Sequence, residues 1–294
     1  MAGADVTGPA CAACRGPLTE VTERRGTMIR RCASCSLVMG EVSKQAPSDD
    51  VVATAPGHFA LLREQYARHR EVSGALLDRR LAVYRRHLGG PPRHWLEIGP
   101  GNGALSDLLA SRGCTWLGVE YDEVMAAAMR AEGKNVLQAD FSGVDPETLM
   151  DEAVRTNGGW DIVSFSQVLE HVLRADRFLA NALAALRPGG LLHVDVPNDA
   201  GLTAKLRRAN PYSAGYGEIV PPNHLIAYSP RSLRTALESA GFEILDLFGC
   251  RYDHPVFGLS HARMNPSAKM RLVWALSGAV GGGGNLVALA RKRL

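Results

Sequence analysis

The chain has 294 residues, 46% of them hydrophobic and 21% charged, which is the composition of an ordinary soluble globular protein with room for one full α/β domain and a smaller companion. A formal net charge of +3, with arginine pairs scattered at 24/25, 30/31, 79/80, 85/86 and 207/208, argues against a nucleic-acid partner. No apolar run could cross a bilayer (LVWALSGAV from Leu272 is far too short) and MAGADVTGPACAAC carries no secretion signal, so a cytoplasmic protein without a membrane partner is expected.

Six cysteines in such a compartment stay reduced, and their spacing is informative. Cys11 and Cys14 form one C-x2-C pair, Cys32 and Cys35 another, and seventeen residues separate the pairs. Two such turns supply the four soft thiolates of a closed tetrahedral zinc site, and a closed site is structural because catalytic zinc keeps a position open. Between the pairs LTEVTERRGTMIRRC reads as a hairpin turning at Gly26, so residues 1–40 are expected to form a zinc ribbon. A segment of about 40 residues buries too little surface to fold alone, and zinc would hold it together. Cys114 and Cys250 read as buried small residues.

Residues 41–57 are polar, contain two prolines and read as a linker. Apolar positions from Phe59 to Leu88 recur at helical spacing, giving one or two helices that form a cap over residues 58–90. Gly89, Gly90, Pro91 and Pro92 then open the main domain, 91–294. Its strands are placed at 94–98, 115–119, 135–138, 161–166 and 191–196, with helices beginning near Ala104, Asp122, Pro146, Asp176 and Ala200. This alternation predicts a mostly parallel sheet covered on both faces. A further helix opens at Ser229-Pro230 and closes at Gly241, and strands at 242–248 and 285–291, joined by a long irregular connection, predict a terminal antiparallel pair.

The segment HWLEIGPGNGALSDLLA runs from a strand through Gly99, Gly101 and Gly103 into a helix. Glycines let backbone approach a ligand closely, and the helix start offers free N–H donors. By itself the turn also satisfies a dinucleotide pattern, with Glu120 placed as a ribose-binding acid. Later blocks decide. LEIGPGNG, VEYD, QADF, DIVSFSQVLEHV, ALRPGGLLHVDVPN and PPNHLIAYSPRSLRTALESAGFEI resemble, in order, the motifs of class I S-adenosylmethionine (SAM) dependent methyltransferases of the small-molecule and quinone group. The resemblance spans about 94–248 plus the last strand and implies the seven-strand Rossmann-like α/β fold with SAM as co-substrate. It implies that Gly99, Gly101, Asn102 and Gly103 wrap the amino-acid end of SAM, with Glu97 orienting the turn or the ammonium. Glu120, beside Tyr121, would accept the ribose hydroxyls, Asp140 the adenine amino group, and Phe141 would cover a ring face. Ser166 and Gln167 would approach the methionine part and the methyl.

On the acceptor side His224, in PPNHL, is the candidate general base, since imidazole takes a proton near neutral pH. A similar stretch ending in histidine occurs in sugar C-methyltransferases, which also carry an N-terminal four-cysteine zinc module. This chain departs from them in having Asn223 before the histidine and no further C-terminal domain. His171 reads as a packing or cofactor-side residue, and Tyr212, Tyr216 and Tyr228 as candidate walls of an acceptor pocket. The expected reaction is O- or C-methylation of a small molecule in natural-product or sugar biosynthesis. The alternative is an RNA methyltransferase that docks through the zinc module, against which stand the balanced charge and a fourth strand ending in SFSQ without a [DN]-P-P-[YF] motif.

Overall fold

The computed structural model describes residues 10–42, 57–221, 223–251, 254–258, 276 and 283–294. Most of the expected 41–57 linker and most of the connection before the last strand lie outside them. The chain begins with three antiparallel strands, β1 (Leu18–Arg24), β2 (Thr27–Cys32) and β3 (Val38–Val42). Arg25 (φ 48°) and Gly26 (φ 77°) form the two-residue turn between the first two, and positive φ at both central positions is what a tightly twisted hairpin requires.

A single helix, α1 (His58–Leu88), follows. It ends on Gly89 in the left-handed conformation, with Arg85, Arg86 and His87 placed to complement the last carbonyls. The main domain then runs β4 (His94–Ile98), α2 (Ala104–Ala110), β5 (Thr115–Glu120), α3 (Glu123–Ala131), β6 (Val136–Gln138), α4 (Glu152–Thr156), β7 (Trp160–Ser166), α5 (Ala175–Ala185), β8 (Leu186–Pro197), α6 (Leu202–Ala209), β9 (Ile226–Ala227), α7 (Pro230–Ser239), β10 (Phe242–Cys250) and β11 (Asn285–Lys292).

Seven of these strands form one sheet in the order β10-β11-β8-β7-β4-β5-β6. The pairs among β4, β5, β6, β7 and β8 are parallel, while β11 runs antiparallel to both β8 and β10. This is the expected Rossmann-like fold with its terminal antiparallel pair. Leu96, Ile98, Val163, Phe165, Leu192 and Val194 fill the centre of the sheet and are buried, as continuous apolar strands covered on both faces must be. The chain winds outward from β4 to β6 and then restarts at β7 on the other side of β4. The carboxyl ends of β4 and β7 therefore flank the switch point where such sheets bind ligands.

Two elements differ from the sequence reading. Instead of one helix from Pro146 there is a 3-10 turn at 146–149, and α4 starts again at residue 152. Asp145 and Asp151 each accept a bond from a backbone N–H ahead of them, so two caps break the segment in two. Strand β8 begins five residues early, because Leu186 already pairs with Trp160, and the chain bulges before Leu191 pairs with Ile162. A side chain on Gly190 would lie 2.9 Å from the carbonyl oxygens of both Trp160 and Arg187, which is why the bulge carries glycine.

The N-terminal strands do not stand apart from the main domain. Strand β3 pairs with β9, joining them in a second sheet of order β1-β2-β3-β9, and the Gly40 N–H donates to the Leu225 carbonyl at 2.8 Å. Cys11, Cys32, Cys35 and Leu37 share one buried cluster with Leu169, Ile226 and Tyr228. Cys114 and Cys250 are buried, as expected. Among the described residues no helix is long and apolar enough to cross a membrane.

Candidate functional site

Gly99, Gly101 and Gly103 all take positive φ, between 58° and 66°, where an L side chain is strained. Space adds a second requirement at Gly99, because a β-carbon there would lie 2.5 Å from Cγ2 of Val168. Asn102 holds the turn in place: its Nδ2 donates to the Leu62 carbonyl at 2.9 Å and its Oδ1 accepts from the Ala104 N–H at 3.1 Å. Helix α1 thus lies against the glycine turn, and the Arg63 ion pair to Asp107 at 2.7 Å fastens it to α2.

Two acids stand beside this turn. Glu97, at the end of β4, accepts from the Trp116 indole N–H at 2.8 Å, and burial followed by the nearby Glu120 charge pushes its carboxyl up to about 8. Glu120, at the end of β5, accepts from the Asp122 N–H at 3.0 Å and is also raised by burial. Neither forms an ion pair among the described residues. Tyr121 is exposed, and Asp140 is exposed with Oδ1 accepting from the Ser142 N–H at 2.9 Å.

Phe141 is a correction to the sequence reading. Only 2% exposed, it packs edge-on against Phe178 at 5.0 Å and belongs to the core, leaving no open ring face for adenine. Ser166 and Gln167 are exposed at the end of β7. Gln167 sits at φ 56°, a conformation that a non-glycine residue holds only where its surroundings fix it. Here its N–H donates to the Asp195 carbonyl at 2.7 Å and its Nε2 to Asp195 Oδ1 at 3.0 Å. Asp195 also accepts from Asn285 Nδ2 at 2.9 Å, and burial pushes its carboxyl up to about 7. Sequence reasoning missed Asp195, although an acid interrupting the apolar strand LLHVDVP was a visible signal.

Beyond the glycine turn, the chain leaving β7 makes a 3-10 turn over 169–171 that meets the 223–225 segment. The Leu225 N–H donates to the Glu170 carbonyl at 3.2 Å, and the rings of His171 and His224 meet edge to face at 4.9 Å. His171 Nδ1 lies 2.7 Å from the Asn223 carbonyl oxygen, so it carries the hydrogen. Glu170 was also missed. It is 1% exposed, neither of its carboxylate oxygens has a partner among the described residues, and burial pushes it up to about 8. His224 Nδ1 is buried without a partner among the described residues, and desolvation together with His171 lowers the imidazole's affinity for a proton. Of the three tyrosines, Tyr212 is 90% exposed, Tyr216 packs beside the N-terminal sheet, and Tyr228 is fully buried with a hydroxyl that has no partner among the described residues.

The four paired cysteines converge, with all four sulfurs within 4.8 Å of one another. The Cys11–Cys35 and Cys14–Cys32 sulfur separations are both 3.5 Å. These are far longer than a disulfide of about 2.05 Å and close to the ~3.8 Å edge of a tetrahedron with ~2.3 Å zinc–sulfur bonds. Backbone N–H groups of Ala13 and Cys35 point at Cys11 and Cys32 sulfur, which favours thiolates. The donor set fits zinc.

The family model described as a methyltransferase domain matches residues 65–247, more than half of the chain. A Mycolicibacterium smegmatis protein named "Probable S-adenosylmethionine-dependent methyltransferase" is 31% identical over 157 residues, covering 53% of this chain and 54% of its own length. The ubiquinone biosynthesis O-methyltransferase of Coxiella burnetii is 27% identical over 174 residues, covering 56% of this chain and 69% of its own. The match thus spans about half the length of the first relative. Among solved structures, a SAM dependent methyltransferase from Archaeoglobus fulgidus shares the fold with a TM-score of 0.50 at 20% identity, covering 80% of this chain and 100% of that one.

Proposed function

The chain belongs to the methyltransferase-domain family, and on that premise we propose that it transfers a methyl group from SAM to a small-molecule acceptor, by O- or C-methylation in a biosynthetic reaction. One observation carries the donor half. Glu97 and Glu120 end neighbouring parallel strands beside the glycine turn, both raised by burial and neither neutralised by a cation among the described residues. Such a pair is costly unless a ligand brings a positive charge and hydroxyl donors to it. The ammonium and ribose of SAM have that chemistry.

SAM supplies an electrophilic methyl on a sulfonium. The chain's own residues align and enclose it: the Gly99–Gly103 turn wraps the amino-acid end, Glu120 accepts the ribose hydroxyls, and Asp140 accepts the adenine amino group. Residues 58–90 cap the site and exclude water, residues 91–294 form the catalytic domain, and Ser166 and Gln167 face the methyl. His224 draws the proton from the acceptor. Cys11, Cys14, Cys32 and Cys35 hold one structural zinc in a ribbon over residues 1–40.

Two measurements test this assignment. SAM affinity followed by calorimetry should rise as pH increases from 6 toward 8, because Glu97 must give up its proton to pair with the ammonium. The slope is bounded by about tenfold per pH unit, and the trend should turn over as the ligand's α-amino group deprotonates near about 8. Glu97→Gln should flatten the rising limb, and a flat wild-type profile would detach Glu97 from the ammonium. A screen of candidate acceptors with isotopically labelled SAM should show His224→Ala losing about 10²- to 10⁴-fold in turnover with SAM affinity nearly unchanged. Full activity in that variant would reduce His224 to a loop-holding residue.

A further inference from the structure

Near the carboxyl end of β8, Asp195 stands in register with Ser166 of β7, one strand over from the switch point. Its side chain is buried, and its carboxylate accepts from Gln167 Nε2 at 3.0 Å, from Asn285 Nδ2 at 2.9 Å and from the Ser166 hydroxyl. Three donors aimed at one carboxyl favour its ionised form. What the site lacks is a cation. Asp195 forms no ion pair among the described residues, and Arg80 of α1 acts on it through space, with Nε and Nη2 donating at 3.0 Å to the Val256 and Gly258 carbonyls. Burial outweighs these donors and raises the carboxyl to about 7. A buried acid held this way is costly to ionise until a positive charge arrives beside it.

Two of the three donors, Ser166 and Gln167, are exposed, and they are the residues proposed to face the methyl. The inference rests on that part of the methyl-transfer reading. Methyl transfer breaks the S–CH3 bond and forms the bond from CH3 to the acceptor; the sulfur keeps the electron pair, so a cationic sulfonium becomes the neutral thioether of S-adenosylhomocysteine. The ammonium, ribose and adenine are the same before and after. Glu97 and Glu120, which serve those groups, hold co-substrate and product alike. We propose that Asp195 is the specificity-determining residue that makes the site prefer SAM to S-adenosylhomocysteine, its buried negative charge attracting the sulfonium and losing its hold once the sulfur is neutral. The spent co-substrate then leaves without competing strongly with fresh SAM.

The test measures the affinities of the full-length protein for SAM and for S-adenosylhomocysteine by calorimetry from pH 6 to pH 8. Their ratio cancels Glu97, Glu120 and the α-amino group, and a merely structural loss would weaken both ligands together. In wild type the preference for SAM should grow at least about threefold as pH rises, because Asp195 ionises across this range. The groups facing Asp195 are Arg80 and Tyr84 of α1, His193 of β8 and Glu170 of the turn after β7. Burial holds Tyr84 and His193 neutral, which leaves Glu170, raised to about 8, as the rival source of such a trend. Asp195→Asn keeps an accepting oxygen and removes the charge, so its preference at pH 8 should fall at least about threefold and change little with pH. Gln167→Ala strips one donor from Asp195 and none from Glu170, and should move the rise to higher pH. Gln167 is exposed, so this variant keeps the core intact even if Asp195→Asn does not fold. A preference that is flat in wild type, equally steep in Asp195→Asn, or unmoved in Gln167→Ala would overturn the role of Asp195 alone. A wild-type protein that binds neither ligand would remove the methyl-transfer reading itself.

Discussion

Replacing Cys35 by serine, or withdrawing zinc with a chelator, should cost methyl transfer on the order of 100-fold while leaving SAM affinity within about threefold of wild type. The argument begins with the ribbon's size. About 40 residues cannot bury enough surface to fold unaided, and structural zinc supplies roughly 10–16 kcal/mol of apparent binding energy to such a segment. Without the metal, β1, β2 and β3 should lose their order. What they support is the proposed acceptor side: β3 pairs with β9 through Val38 and Met39, and the Gly40 N–H holds the Leu225 carbonyl. Leu225 follows His224 directly and donates its own N–H to Glu170. Releasing β3 therefore frees the segment that positions both groups, and a displacement of about 1 Å is enough for a loss of this size. The donor turn is built instead on β4, β5 and α1, none of which pairs with the ribbon strands. Hydrogen exchange should accelerate over residues 18–42 and 225–228 while β4 and β5 stay protected. SAM affinity lost together with the metal would show that the donor half depends on the ribbon as well.

The glycine turn and its flanking strands were legible because their signals are local. HWLEI and TWLGVE announce strands within five or six residues, and the glycines of GPGNG declare the positive φ that the turn adopts. The cysteine pairs were equally local, since each C-x2-C turn sets its own geometry. The region where 169–171 meets 223–228 was harder to read because its determinants come from distant parts of the chain. Strand β9 is two residues long and has no period of its own, and its partner Val38 lies nearly 190 residues away, so nothing near IA marks the pairing. Glu170 in VLEHV carries no local signal that sets it apart from a surface acid. Only the fold shows that a two-histidine contact and the 223–225 segment close over it. Phe141 failed for the opposite reason, because its place after QAD fitted a ligand role while Phe178, 37 residues on, claimed its ring for the core.

Glu120→Ala should lower SAM affinity by about 10²- to 10⁴-fold without changing zinc content. A carboxylate accepting both ribose hydroxyls makes two charge-assisted hydrogen bonds, each contributing about 1.5–3 kcal/mol, and alanine removes both. Loss of fold would not account for the effect. Burial raises the Glu120 carboxyl above its unfolded value, so in the ligand-free protein its ionised form is destabilising at neutral pH. The sign follows from proton binding: the native state holds the proton to higher pH than the unfolded chain, so this acid's contribution to stability falls as pH rises between the two values. Ligand-free Glu120→Ala should therefore melt no lower than wild type at pH 8, a combination that unfolding cannot produce. The substitution also removes the negative charge that helps raise Glu97. Glu97 should then ionise at lower pH, and the rising limb of whatever SAM binding survives should move to lower pH with it. Unchanged SAM affinity in this variant would displace the ribose from the end of β5. An unshifted limb with weakened affinity would show instead that burial alone, without Glu120, sets the proton affinity of Glu97.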